Sequence, residues 1–407
     1  MKNIFKLLAF LPLLTACDDL FEPALENNRD LEAMYKEPSY AQGILANAYI
    51  ILPYETSPTS DLATDDAVTN EISSNYLRMA TGSWTANNNP VSQWQNRFNA
   101  IQYINLFLEN VDKVEWAKDE RISTMFLDRL KGEAYGLRAL HMYYLLRAHG
   151  GKIADGTLMG VPIILKSEGP DADFNHARAT YSDCVKQIME DADKAIELLP
   201  LDYKKFVDSE IPEKYKNIGV TNASDYRRVC GEEYRGLMSG RIALAVRAQT
   251  ALLAASPAFQ SGSGMTWEQA ADYAAEIIEK ANGGGGCGLD ADGLEWYTLA
   301  DKDYGTGGSP AEVIWRSSTD DNIHWKQLTS LHHFTETVVS ILPRIWWMPF
   351  LWRTVTLFLK HQAITMQKTR MITVIRVWQN TSFTMVASKV LVIRKLLQGL
   401  TERIQTL

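Results

Sequence analysis

The chain is poor in the residues that build metal sites and covalent frameworks. Its 407 residues include four cysteines, Cys17, Cys184, Cys230 and Cys287. No two stand at metal-ligand spacing, and thiols so widely scattered form no disulfide scaffold. Histidine is equally thin, and His141, His149 and His176 are too dispersed to suggest a metal site or a catalytic triad. Positive charge is short: 41 Lys and Arg against 49 Asp and Glu give a formal net charge of -8, which argues against nucleic-acid binding. Phosphate-cradling glycine patterns are missing. Gly283 to Gly286 supplies four glycines before Cys287, but without the Lys-Ser/Thr of a P-loop or a GxGxxG opening a helix after a strand, so the stretch is expected to be a flexible turn. Carboxylates offer little more. Asp65, Asp66 and Glu71 lie close in sequence, yet no strand-end pattern sets two of them across a sugar as a hydrolase requires. The chain therefore nominates no catalytic residue, no cofactor and no metal site.

What is present is a globular composition, 46% hydrophobic, in a chain long enough for one large domain or two ordinary ones. Residues 1–16 read as an export signal. Lys2 and Lys6 give a basic start, Leu7 to Leu14 an apolar run, and Leu-Thr-Ala-Cys a lipobox ending at Cys17. A plain secretory signal shares the first two parts; the cysteine after a small residue marks the lipoprotein form, in which the Cys17 thiol takes a diacylglyceryl group. The apolar run is too short for a permanent membrane helix, so a lipid on Cys17 is the expected anchor.

Helical periodicity dominates the region that follows. Pro38 to Tyr54 shows Tyr40, Ile44, Ala48 and Ile51 on one face. Gln93 to Val114 repeats Trp94, Phe98, Ile101 and Leu108, which assigns Trp94 to the core. Lys131 to Gly151 carries Leu130, Ala134, Leu137, His141, Tyr144 and Leu145 as a buried stripe and stops at Gly150-Gly151, where a left-handed cap is expected. Arg138 and Arg147 are expected to pack their stems and send their heads to carboxylates, and His141 to be a packing residue. Ala179 to Pro200 is helical, with Ser182 as a candidate cap and Cys184 as a small core residue. Lys204 to Tyr234 is polar and broken, as in a loop or insertion. Gly240 to Ser256 and Trp267 to Ala281 form a tetratricopeptide-like pair, in which small residues let two helices approach and an aromatic fills the turn. The predicted fold is mostly α, a tetratricopeptide-like α-solenoid with long binding loops.

The longest such loop is Ser60 to Pro90, rich in Asn, Asp, Ser and Thr. Long ordered loops in compact domains commonly carry function. Tyr76 and Trp84 lie in it, with Asn87, Asn88 and Asn89 just after Trp84 and Asp65-Asp66 before. An aromatic face for sugar C–H groups, with amides and carboxylates for the hydroxyls, makes Asp65, Asp66, Tyr76, Trp84, Asn87 and Asn88 the candidate glycan-binding set. The alternative is that Trp84 packs the loop down.

The order Gly132-Glu133-Ala134, Leu137-Arg138-Ala139, Tyr143-Tyr144, Gly150-Gly151 and then Gly160-Val161-Pro162 resembles the central signature of the SusD/RagB family. The Trp94-x3-Phe98-x2-Ile101-x3-Asn105 run and Glu312 to Ser317 resemble two further family segments. The resemblance implies a SusD-like fold and a lipid-anchored outer-membrane protein at the cell surface. Such a protein captures an oligosaccharide without catalysis and passes it to a TonB-dependent, SusC-like transporter. Asp18, Asp19 and Glu22, directly after Cys17, look like the acidic surface-export signal of such lipoproteins. Rival readings are a helical-repeat protein-binding adaptor and a lipid-anchored glycoside hydrolase.

From Asn322 onward the chain changes character. Eleven Lys and Arg face two Asp and Glu, Asp and Tyr are absent, and Gly399 is the sole glycine, while five of the eleven tryptophans occur there. Ile341 to Leu359 is about as long as a membrane span, but Pro343, Arg344, Pro349 and Arg353 interrupt it, and arginine at mid-bilayer is costly. A shifted reading frame accounts for the tail better. Trp and Met each have one codon, ending in G. Starting from the third base turns Trp346-Trp347-Met348-Pro349 into Val-Asp-Ala and allows Asp-Asn-Arg-Asp-Pro-Arg-Leu across Met371 to Trp378. Both strings resemble SusD/RagB signatures in the expected order. The expected organisation is a signal over 1–16, a SusD-like helical region over 17–321, and an out-of-frame tail without native fold over 322–407.

Overall fold

The computed structural model describes residues 32–53, 60–65, 68–69, 72–85, 87–280, 313–315 and 340–341. The chain enters through α1 (Ala33–Lys36) and α2 (Pro38–Ile50). Pro38 sits in the first turn of α2, where its missing N–H leaves nothing unsatisfied. There follow α3 (Asn75–Ala80), α4 (Trp94–Asn110), α5 (Glu120–His149), α6 (Tyr181–Leu198), α7 (Glu213–Lys216) and α8 (Ala223–Cys230). The series closes with α9 (Gly240–Ala255), α10 (Gln260–Ser263) and α11 (Trp267–Lys280). Two antiparallel pairs of two-residue strands complete it: β1 (Val68–Thr69) with β4 (Ser340–Ile341), and β2 (Gly151–Lys152) with β3 (Leu158–Met159).

The long helices pack in series. α4 lies between α2 and α5, α5 against α6, α6 against α9, and α9 against α11. This is the expected solenoid of helical hairpins. Its main core runs through Ile44, Leu45, Ile104, Phe107, Leu137, Leu140, Ile188, Ala192 and Val246. Small residues set the helix spacing. A Cβ on Gly132 would lie 2.6 Å from Leu199 Cγ, and one on Gly136 2.6 Å from Met238 Cγ and 3.3 Å from Ala195 Cβ. These two glycines, one turn apart on α5, let the end of α6 and the start of α9 press against its backbone.

Several sequence expectations need correction. The central helix starts at Glu120, eleven residues earlier than the signature suggested, because Asp119 caps it by accepting a bond from Arg121 N–H. Gly150 is extended, at φ -75° and ψ 147°, not left-handed. Glycine is needed there for space: a Cβ would lie 2.6 Å from the Leu146 carbonyl and 2.9 Å from the Tyr181 ring. α6 is capped by Thr180, whose hydroxyl accepts from Asp183 N–H at 3.1 Å, rather than by Ser182. Trp94 is not core. It opens α4 at 42% exposure and meets Phe98 and His149 edge-on. The polar stretch from Lys204 to Tyr234 is not a bare loop. Phe206, Ile211, Tyr215, Val220, Tyr226, Val229 and Cys230 close a second core over Ile122 and Met125. Cys184 and His141 are fully buried, as expected. The glycine run Gly283 to Gly286 lies outside the described residues.

Candidate functional site

Before Trp84, α3 ends in a Schellman turn. Gly82, at φ +67°, donates its N–H to the Met79 carbonyl at 3.1 Å, and Ser83 donates to Arg78 at 3.0 Å. The Thr81 hydroxyl ties in as well, donating to the Leu77 carbonyl at 2.8 Å. Immediately after Trp84, Thr85 and Asn88 pair reciprocally, with N–H to carbonyl distances of 3.3 and 3.0 Å. Asn89 Oδ1 then accepts from Val91 N–H at 3.0 Å, an Asx turn. Trp84 thus stands between two closed turns, at 49% exposure. Its ring meets no other aromatic ring among the described residues.

The predicted set divides accordingly. Trp84, Asn87 and Asn88 share this loop and are exposed, and Tyr76, on α3, is half-buried. Asp65 is exposed, two residues beyond a 3-10 turn (Ser60–Ala63) that packs against α3. Asp66 and Cys17 lie outside the described residues. Half of the candidate aromatic surface is therefore displayed, with amide groups following it directly in the chain.

Within the helical core, buried polar residues lock the helices. Arg138 donates from Nε and Nη2 to the two carboxylate oxygens of Asp191 at 2.7 and 2.8 Å, and from Nη1 to Asn105 Oδ1 at 3.0 Å. Asn105 in turn donates to the carbonyls of Ile164 and Lys166 at 3.0 and 3.1 Å, fixing the strand-like stretch after Gly160. Arg138 thus meets the expectation of a packed stem with a carboxylate for its head. The Arg147 guanidinium lies over the Tyr144 ring, 4.7 Å from its centroid. His141 Nδ1 accepts from Arg97 Nη1 at 3.2 Å, so its proton sits on Nε2 and is donated to the Ala48 carbonyl at 3.1 Å. Burial, reinforced by Arg97, pushes the imidazole down to about 3. Glu133 accepts from the Tyr49 hydroxyl at 2.7 Å, and that hydroxyl accepts from Met238 N–H at 3.0 Å. Burial raises the Glu133 carboxyl above its usual range, against the pull of Arg129 and Tyr49. Apart from Arg147, which is exposed, these groups are buried and serve the fold.

Asp191 escaped the sequence reading. Its signal was available: a lone carboxylate on an apolar stripe, between Ile188 and Ala195. Among the described residues no group of His, Cys, Asp and Glu is arranged to hold a metal ion.

Residues 25–214 match the SusD-like family, described as starch-binding and associating with the outer membrane. No curated protein matches the chain. Among solved structures, a SusD-like protein from Bacteroides fragilis superposes with a TM-score of 0.52 at 15% identity, over 74% of this chain and 49% of its own. A SusD superfamily protein from Bacteroides vulgatus gives 0.45 at 19% identity, over 64% and 50%. A laminarin-binding SusD-like protein gives 0.45 at 18%, over 66% and 50%. The chain spans about half the length of these structures.

Proposed function

We propose, on the match of residues 25–214 to the SusD-like family of starch-binding proteins associating with the outer membrane, that the chain is a non-catalytic glycan-binding lipoprotein. In this reading a lipid on Cys17 anchors it at the cell surface, the loop around Trp84 captures an oligosaccharide, and a TonB-dependent, SusC-like transporter receives the cargo. The observation that carries the proposal is the display of Trp84 between two closed turns, half exposed and followed by Asn87 and Asn88. A backbone tied on both sides carries the exposed indole on a fixed mount, so less chain ordering is needed on binding. No described helix is long and apolar enough to cross a membrane. Affinity electrophoresis of the full chain through polysaccharide-containing gels tests the reading. Retardation lost in Trp84→Ala, with an unchanged circular dichroism spectrum, is the expected result. Equal retardation of the variant, or none in the wild type, overturns it in favour of a protein-binding adaptor. Shortening of the polysaccharide marks a hydrolase instead.

We further infer that native sequence extends to about residue 321 and that residues 322–407 are read out of frame. Supporting this boundary, Ile314 and Trp315 pack against the helical core, and Trp315 Nε1 donates to the Gly236 carbonyl at 2.8 Å. Nucleotide sequencing across the codons for Asp321 to Trp325 decides the matter: a restored base supports the shifted frame, and an unaltered coding sequence removes it.

A further inference from the structure

A concave surface is built without any residue of the Trp84 loop. It is an open cleft of about 490 Å³ between α4, α5, α6 and the segment after Gly160, lined by Leu108, Glu109, Tyr135, Arg138, Leu165, Lys166 and Lys194. That size suits a sugar unit with its substituent. Its charges do not cancel. Arg138 is neutralised by Asp191 beneath the floor. Glu109 is held at the rim, accepting from Ser167 N–H at 2.7 Å and from the Ser167 hydroxyl at 2.5 Å. Lys194 and Lys166 are exposed and make no ion pair among the described residues. The Lys194 ammonium instead rests 4.9 Å from the centroid of the Tyr135 ring. Two lysines against one hydrogen-bonded carboxylate leave a positive cleft on a chain whose net charge is -8.

We propose that this cleft is a subsite for an acidic sugar unit, whose carboxylate or sulfate is taken by Lys194 and Lys166. The walls are fixed for the purpose. The Asn105 amide holds the carbonyls of Ile164 and Lys166, and Gln102 exchanges two hydrogen bonds with the Glu168 backbone at 2.9 Å each. The segment carrying Lys166 is therefore clamped to α4 before any ligand arrives. A ligand anion would exchange the weak cation–π contact of Lys194 for an ion pair. The assignment rests on the reading of the chain as a saccharide binder and specifies the class of sugar, at a place separate from Trp84.

Titration calorimetry of the full chain tests it with oligogalacturonate, its methyl ester, and a sulfated carrageenan oligosaccharide. The acidic ligands are expected to bind at least about tenfold more tightly than the ester, with an affinity that falls as salt rises. Carboxylate and sulfate are separated by which of the two binds. Lys194→Glu and Lys166→Glu should each lose that preference, and Lys194→Arg should keep it. Both lysines are exposed, so the variants should fold, which circular dichroism checks. Equal binding of the acid and its ester, or a preference that survives Lys194→Glu, overturns the proposal. Trp84→Ala separates the two readings. If it abolishes retention of neutral polysaccharide while Lys194→Glu changes nothing for the acid, the cleft assignment fails and the Trp84 loop stands. If the reverse holds, the cleft stands alone.

Discussion

Replacing Asp191 by asparagine tests whether the centre of the solenoid is held by a buried charge pair. Asp191 is 0% exposed, and the Arg138 side chain bound to it is 6% exposed. The substitution keeps size and shape but removes the countercharge, and it turns an amide N–H toward an arginine that has only donors to offer. Arg138 keeps Asn105 Oδ1 and the one amide oxygen left at position 191 as its acceptors. Breaking such a pair costs about 3–5 kcal/mol, because the surviving charge stays buried without compensation. In a region of this size that corresponds to a fall in Tm of roughly 6–20 °C. Thermal and urea unfolding followed by far-UV circular dichroism read it directly. The double variant Arg138→Met, Asp191→Leu should recover all but about 1–2 kcal/mol, since two apolar side chains leave no charge to desolvate and Asn105 loses one donor. A single variant costing less than about 1 kcal/mol would mean that water reaches the pair. A double variant no better than the single would mean that the pair contributes specific geometry rather than compensation. Either result refutes the reasoning.

Four further outcomes are expected. Gly136→Ala should cost about 1–3 kcal/mol in urea unfolding, because its Cβ must displace Met238 and crowd Ala195 in a closed contact. His141 is held neutral with its pKa pushed from 6.5 to about 3, so its contribution is complete above 6.5 and is lost as pH falls toward 3; the stability of wild type relative to His141→Gln should drop by up to ~1.4 kcal/mol per pH unit across that window, and parallel pH curves would exclude it. Trp84→Ala should leave Tm within a degree or two, a change below about 0.5 kcal/mol. Trp116→Ala should cost about 3–5 kcal/mol, because Trp116 is 7% exposed, donates to the Val111 carbonyl at 3.2 Å and packs near Phe107.

The helices were legible because their apolar stripes are long. Val185, Ile188, Ala192 and Ala195 on α6 are all buried, as the periodicity required. Element ends were less legible, since they depend on which side chain reaches a free N–H. Thr180 and Ser182 are equally good caps on paper, and the approach of residue 161 to Ala179 decides for Thr180. Trp94 shows a second limit. Its spacing matches a buried stripe, but a first-turn position has no neighbouring turn before it to complete the cover. The small core around Tyr226 was hidden because its apolar residues come from short helices and turns with no common period. At the loop site, composition pointed to an exposed aromatic beside amides. The exposure of Trp84, at 49%, distinguishes a displayed ring from a packed one, and no sequence pattern gives that number.

The family signature itself consists of residues that the solenoid needs. Gly132 admits the Leu199 side chain, Glu133 accepts from the Tyr49 hydroxyl that itself takes the Met238 N–H, and Arg138 joins α5 to α6; beside the signature, Gly136 admits Met238 and His141 joins α4 to the end of α2. Each ties elements far apart in sequence, so each constrains the fold strongly, and none belongs to the loop that displays Trp84. A chain can therefore match this signature well and differ wholly in what it holds. On the proposed readings, ligand choice rests with the turn-bounded loop at Trp84 and the lysine rim of the cleft, where Lys166 and Lys194 make no ion pair among the described residues. Changing those side chains should alter the ligand with little effect on stability, whereas changing Glu133 or Arg138 should alter stability before it alters the ligand.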